Sequence, residues 1–118
     1  MKRFLLMLLI ILLPALAFAD ARINKVVTTT TEYTSSQLIQ TGVTNVYRVY
    51  FIPSSNGGWF ALHNCLTIGA AASTNAKVEG MEATAFNGQP QDFTSIPVEF
   101  STGLFLDIYN GSILIEYE

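Results

Sequence analysis

Leu104-Phe105-Leu106-Asp107-Ile108-Tyr109-Asn110-Gly111-Ser112-Ile113-Leu114-Ile115-Glu116-Tyr117 places two apolar runs on either side of Asn110-Gly111. Asn-Gly is the strongest short hairpin signal, because a type I′ turn needs positive φ at both central residues. Alternate residues of a strand share a face. Leu104, Leu106 and Ile108 then line one face of the first run, and Ile113, Ile115 and Tyr117 one face of the second. These residues predict a closing β-hairpin whose apolar face meets an opposing sheet.

Upstream, the same texture continues. Asn45 to Ile52 reads as a central strand with apolar residues on both faces, so both faces are expected to be covered. Pro53 to Gly58 supplies a turn, since Asn and Gly accept positive φ cheaply, and Trp59 to Cys65 returns as a strand. Ile23 to Thr34 is a Val/Thr-rich strand whose threonines suit a solvated edge, and Gln37 to Thr41 is a weaker one. Gly69 to Asn75 reads as a loop. Ala76 to Thr84 alternates, with Ala76, Val78, Gly80 and Glu82 on one face and Lys77, Glu79 and Met81 on the other, and neither face is strongly apolar, as in an outer strand. Asn87 to Asp92 reads as an amide-rich loop, and Phe93 to Phe100 as an extended stretch held to an edge or bend by Pro97. No dozen-residue window carries the spacing of an amphipathic helix. The expectation is an all-β chain, a small antiparallel β-sandwich, jelly-roll or Ig-like, of seven to eight strands.

Residues 1–19 have the parts of a secretory signal peptide. Lys2 and Arg3 open it, Phe4 to Leu13 is unbroken apolar sequence, and Ala17-Phe18-Ala19 is a small-residue cleavage site. The apolar run is about half of the ~20 residues a membrane-spanning helix requires, so cleavage after Ala19 is expected, leaving a single domain over 20–118 that is exported, periplasmic or extracellular, with no stable membrane insertion. Loss of Lys2 and Arg3 moves the formal charge from −3 to −5. An acidic chain without a basic patch argues against a nucleic-acid partner, and a single cysteine excludes a disulfide scaffold.

Few residues invite chemistry. His63 and Cys65 fall on the same side of a strand, but such neighbours have Cα atoms about 6.5–7 Å apart, and a thiolate–imidazole dyad also needs an orienting third group. Cys65 reads instead as a buried free thiol, with cross-linking between chains as the alternative. One His and one Cys do not make a closed zinc site by themselves. Glu79 and Glu82 fall on opposite strand faces, and Asp92, Glu99 and Asp107 can pair only through the fold. No catalytic set, cofactor or metal is expected. The candidate ligand contacts are aromatic and amide groups: Trp59 at the loop-to-strand junction after Gly57-Gly58, with Tyr47 and Tyr50, and Asn87 and Gln89 of the amide-rich loop. A ring at a loop edge can stack on a sugar face or on a partner.

Ser101 to Tyr117, the proline-containing Ile96-Pro97-Val98 ahead of it, and the strands Val46 to Phe51 and Trp59 to Leu62 resemble small β-sandwich proteins of tailed phages and prophages. That resemblance covers about half the chain and implies a sandwich that builds or decorates a virion, with no catalytic residues to carry over. It departs from that group in its export signal. The sequence therefore supports a non-enzymatic exported module, structural or protein-interacting, associating with a protein partner or itself through sheet edges, where unpaired N–H and C=O groups remain. The alternative is a carbohydrate or small-ligand binding module centred on Trp59. An enzyme built on Cys65 and His63 is the least supported.

Overall fold

Asn110 and Gly111 do not close a hairpin. In the computed structural model, which describes residues 28–82 and 84–118, the strand before them and the strand after them lie in different sheets. The expected export signal, its expected cleavage site and the start of the Ile23–Thr34 stretch lie outside the described residues.

The described residues form nine strands: β1 Thr29–Tyr33, β2 Gln37–Thr41, β3 Thr44–Pro53, β4 Gly58–Asn64, β5 Ala76–Glu82, β6 Gln89–Asp92, β7 Val98–Phe100, β8 Gly103–Tyr109 and β9 Gly111–Tyr117. One sheet runs β1-β9-β3-β6, with β7 also pairing β3, and the other runs β2-β8-β4-β5. Every pairing is antiparallel. Because β6 and β7 lie end to end along β3, against Arg48–Phe51 and Thr44–Val46, nine strands fill eight positions. The split comes from Phe93 to Pro97, where the chain leaves the sheet just after Phe93 N–H bonds the Tyr47 carbonyl.

Among the described residues, β4 and β5 are the one pair of consecutive strands that neighbour each other in a sheet. Between β1 and β4, and again through β8 and β9, each link crosses from one sheet to the other. This alternation belongs to a jelly-roll sandwich; an Ig-like order would place hairpin-linked strands side by side.

The geometry at Asn110-Gly111 explains the missing hairpin. Asn110 takes a positive φ of 50°, but Gly111 does not adopt one and enters β9 directly, opposite Pro53. The chain makes an arch. Its apolar faces therefore meet across the sandwich, with Leu104 and Leu106 in one sheet and Ile113 and Ile115 in the other, all fully buried. A second arch joins β3 to β4 and packs against the first, with Ser54 N–H donating to the Asn110 carbonyl at 2.8 Å. A Cβ on Gly111 would overlap the Phe51 ring, so the crossing tolerates no side chain there.

Val46, Val49, Phe51, Phe100, Ile113 and Ile115 meet Phe60, Leu62, Val78, Leu104 and Leu106 in the core. Phe51 and Phe60 touch across the layers with ring centroids 5.2 Å apart. β3 is not covered on both faces. A bulge between Val46 and Arg48 resets its alternation, so Val49 and Phe51 point inward while Arg48 and Tyr50 face outward. Outside, Arg48 pairs with Glu116 at 3.5 Å and Asp92 at 3.9 Å.

Asn87 to Asp92 is only half a loop. Gln89–Asp92 is β6, and its amides join the sheets: Gln89 Nε2 donates to the Met81 carbonyl and to Glu82, and Gln91 Nε2 to the Glu79 carbonyl. Lys77 Nζ donates to the Glu99 carbonyl of β7. The two glutamine bonds cap the outer edge of β5, and the lysine covers a carbonyl of β7. On the opposite side β1 and β2 remain the sheet edges. Among the described residues no helix is long and apolar enough to cross a membrane.

Leu106→Asp should abolish folding, since it puts a carboxylate where no exposed surface remains; a cooperative thermal transition in that variant would contradict the core. Burial, reinforced by the neighbouring Tyr117 phenol, pushes the Tyr33 hydroxyl up from 10.0 to about 12. The folded state thus holds this proton longer than the unfolded chain, and the associated stability is present below pH 10 and lost as pH rises towards 12. Urea midpoints should fall over that interval more steeply in the parent protein than in Tyr33→Phe.

Candidate functional site

The outer face of the four-stranded sheet is built in rungs by strand register. Met81 of β5, Trp59 of β4 and Tyr109 of β8 form the first rung. Glu79, Ala61 and Asp107 form the second, and His63 with Phe105 the third. These side chains share a face because they alternate with the inward Phe60, Leu62, Leu106 and Ile108.

The first rung is an apolar platform. Trp59 is half-buried and stacks on Tyr109, with centroids 6.2 Å apart and planes inclined by 24°. Tyr109 and Met81 remain 55% and 70% exposed. In the second rung the small Ala61 lowers the floor between two acids. Interstrand spacing puts the Glu79 and Asp107 Cα atoms roughly 9–10 Å apart. Asp107 accepts a hydrogen bond from Ser36 Oγ at 2.8 Å.

The β4–β5 connection folds back to wall this face. Ile68–Ala70 is one turn of 3-10 helix, and Asn75 organises the turn between it and β5. The Asn75 Nδ2 donates to the Ala70 carbonyl, its Oδ1 accepts Ala72 N–H, and its carbonyl accepts Asn64 N–H. A groove of about 600 Å³ results, lined by Trp59, Ala61, His63, Ile68, Glu79 and Asp107 among others. The stretch read as a plain loop is therefore part of the site.

His63 is 6% exposed, and its tautomer is set by its neighbours. Nδ1 faces two acceptors, the Ala72 carbonyl at 3.1 Å and Asn75 Oδ1 at 3.0 Å. The Asn75 amide cannot be reversed without losing its bonds to Ala70 and Ala72, so Nδ1 carries the proton. In the neutral ring Nε2 is then an acceptor, and it has no partner among the described residues. No enclosed side-chain nitrogen there lacks a partner, so Nε2 reaches the open space of the groove that the ring lines.

The five sequence candidates do not converge. Trp59 lies in the groove. Tyr50 stands on the outer face of the other sheet, 39% exposed, with the Gly88 backbone against its phenol. Tyr47 donates its hydroxyl to the Glu118 carboxylate, which raises its pKa above the usual tyrosine value. Gln89 is committed to the inter-sheet bridge, and Asn87 is exposed in the β5–β6 loop. His63 and Cys65 do not form a dyad. The thiol, 4% exposed, donates to the Thr67 carbonyl at 3.4 Å, whereas the imidazole is held by Ala72 and Asn75. Among the described residues no three His, Cys, Asp or Glu side chains are grouped to hold a metal ion. Sequence reasoning did not pick out Glu79, Asp107, Met81 and Tyr109 as ligand contacts, since only the register of β4 with both neighbours joins them to Trp59.

The groove thus offers one aromatic face and three hydrogen-bond acceptors. It holds no nucleophile–base contact among the described residues. Cys65 in the native protein should resist alkylation at neutral pH and react fully once the chain is unfolded; rapid labelling of the native protein would contradict its burial. Comparison with protein-family models, with curated proteins and with solved structures finds no match to this chain.

Proposed function

We propose that this protein is an exported, non-enzymatic recognition module that binds a small polar ligand in the groove on the outer face of its four-stranded sheet. The observation that carries this reading is the placement of Trp59. The ring is half-buried, braced by Tyr109 and set at one end of a groove of about 600 Å³. Small-molecule sites are typically concave and pair apolar walls with a few polar groups that fix orientation. Trp59 with Ile68, and the acceptors at Glu79, Asp107 and His63, supply that combination.

Association through a sheet edge is the second reading, and one observation favours it. The β5 side of the sandwich is closed by Gln89, Gln91 and Lys77, while the β1 and β2 edges carry largely exposed residues. A partner strand, or a second copy as in a virion-like assembly, has its opening there.

Trp59→Ala separates the two. The variant should keep the parent far-ultraviolet dichroism and Tm within a few degrees, and lose calorimetric binding of any ligand that quenches or shifts the parent's tryptophan fluorescence in a screen of glycans and small polar molecules. An oligomer by light scattering that Trp59→Ala leaves intact, with no ligand response in the parent, would shift the function to the edges.

A further inference from the structure

We infer that the ligand of this groove is an organic cation presenting a primary alkylammonium group, held between Glu79 and Asp107 beside the Trp59 ring. The inference rests on the groove being a recognition site and adds the chemical class of what it recognises.

Three features agree. The first is that Glu79, Asp107 and His63 bring three acceptors into the groove, which the Ser73 hydroxyl also lines. Glu79 and Asp107 are carboxylates, and His63 presents the bare Nε2 because Nδ1–H is taken by Ala72 and Asn75. His63 is more than nine-tenths buried yet leaves that nitrogen without a partner among the described residues. An acceptor at the groove surface, on a ring whose orientation is fixed by Ala72 and Asn75, is matched by a ligand that donates.

The second feature is uncompensated charge. The basic residues among the described residues are Arg48 and Lys77. Arg48 is paired with Glu116 and Asp92 on the other sheet. Lys77, two residues before Glu79, donates to the Glu99 carbonyl with its ammonium 5.8 Å from the Phe100 ring centroid. The Glu79 carboxylate has no hydrogen-bond or ion-pair partner among the described residues, and Asp107 has the neutral Ser36 hydroxyl. Flanking Ala61 on the same face, the two acids place negative charge on both sides of a floor too small to fill the space between them.

The third is the ring. A tryptophan face attracts a cation more strongly than other aromatics do, and Trp59 stands one rung from both acids. Met81 and Ile68 give the apolar stem of such a ligand a surface to follow. A neutral sugar could use the ring and the acceptors but would leave both charges unanswered.

An alkylammonium can be free, as in a small diamine, or be the end of a lysine side chain. Calorimetric titration of the purified protein with 1,5-diaminopentane and with acetyl-Gly-Lys-Gly-amide distinguishes these sources, with acetyl-Gly-Lys(Nε-acetyl)-Gly-amide and cellobiose as uncharged controls. Saturable binding of either amine is expected, together with weaker or no binding of the acetylated peptide. Glu79→Gln and Asp107→Asn should each weaken amine binding by about 3–10-fold, as loss of one charge-assisted contact at a partly exposed site would. Both substitutions are isosteric and sit on the outer face, and an unchanged Tm verifies that each variant folds. Binding of cellobiose that neither substitution alters would overturn the cation while leaving the recognition groove in place. Failure of every probe, with Trp59 fluorescence unmoved in the wider ligand screen, would overturn both.

Discussion

The arch at Asn110-Gly111 is the constraint on which the rest of the sandwich depends. A hairpin there would have set β8 and β9 side by side, with their apolar faces pointing the same way and needing cover from elsewhere. Because Gly111 continues as strand, the two runs separate into opposite sheets, and Leu104 and Leu106 bury against the layer that holds Ile113 and Ile115. The neighbouring β3–β4 arch is fitted to it through the Ser54–Asn110 hydrogen bond and the contact of Gly111 with Phe51. Phe51 and Phe60 then meet across the layers close to that crossing. Burial of each such side chain contributes about 1.5–3 kcal/mol, so the chain's alternation between sheets is what turns a modest set of apolar residues into one core.

A sandwich made of arches has four edges, and the protein treats them differently. The β5 edge is capped by side chains from β6, and Lys77 of β5 reaches across to a carbonyl of β7, so that carbonyls which would otherwise invite another strand are satisfied. That closure also occupies the Gln89 and Gln91 amides and the Lys77 ammonium near Glu79. The groove keeps its acceptors unanswered partly because the nearby donors are used to join the two layers.

The two outer faces differ in the same way. On the five-stranded sheet Arg48 lies between Glu116 and Asp92 and partly offsets their charge. On the four-stranded sheet the acids are unbalanced, the tryptophan is braced and the β4–β5 connection builds a wall. Asn75 matters more here than its place in a Ser/Ala-rich loop suggests, since three of its groups hold that wall and a fourth contact fixes the histidine proton.

Alternation and turn chemistry were enough to read the all-β class, the extent of β2, the two faces of β5, the edge position of β1 and the apolar faces of β8 and β9. Each of these depends on local geometry: period-two alternation, β-branched residues and glycine or asparagine at positive φ. Trp59 was legible as a residue standing at a junction. What lay beyond the sequence was which strands become neighbours. Asn-Gly serves a hairpin or an arch equally well until Phe51 and Ile52 occupy the space beside Gly111. The β3–β4 arch puts Tyr50 and Trp59 on different sheets, and the bulge in β3 turns Tyr50 to the outer face. Glu79, Ala61 and Asp107 are 18 and 46 residues apart along the chain, and they become one rung through pairing register alone, which is set by packing of the whole core. Local preference determines what each segment is; burial of all segments together decides what each one faces.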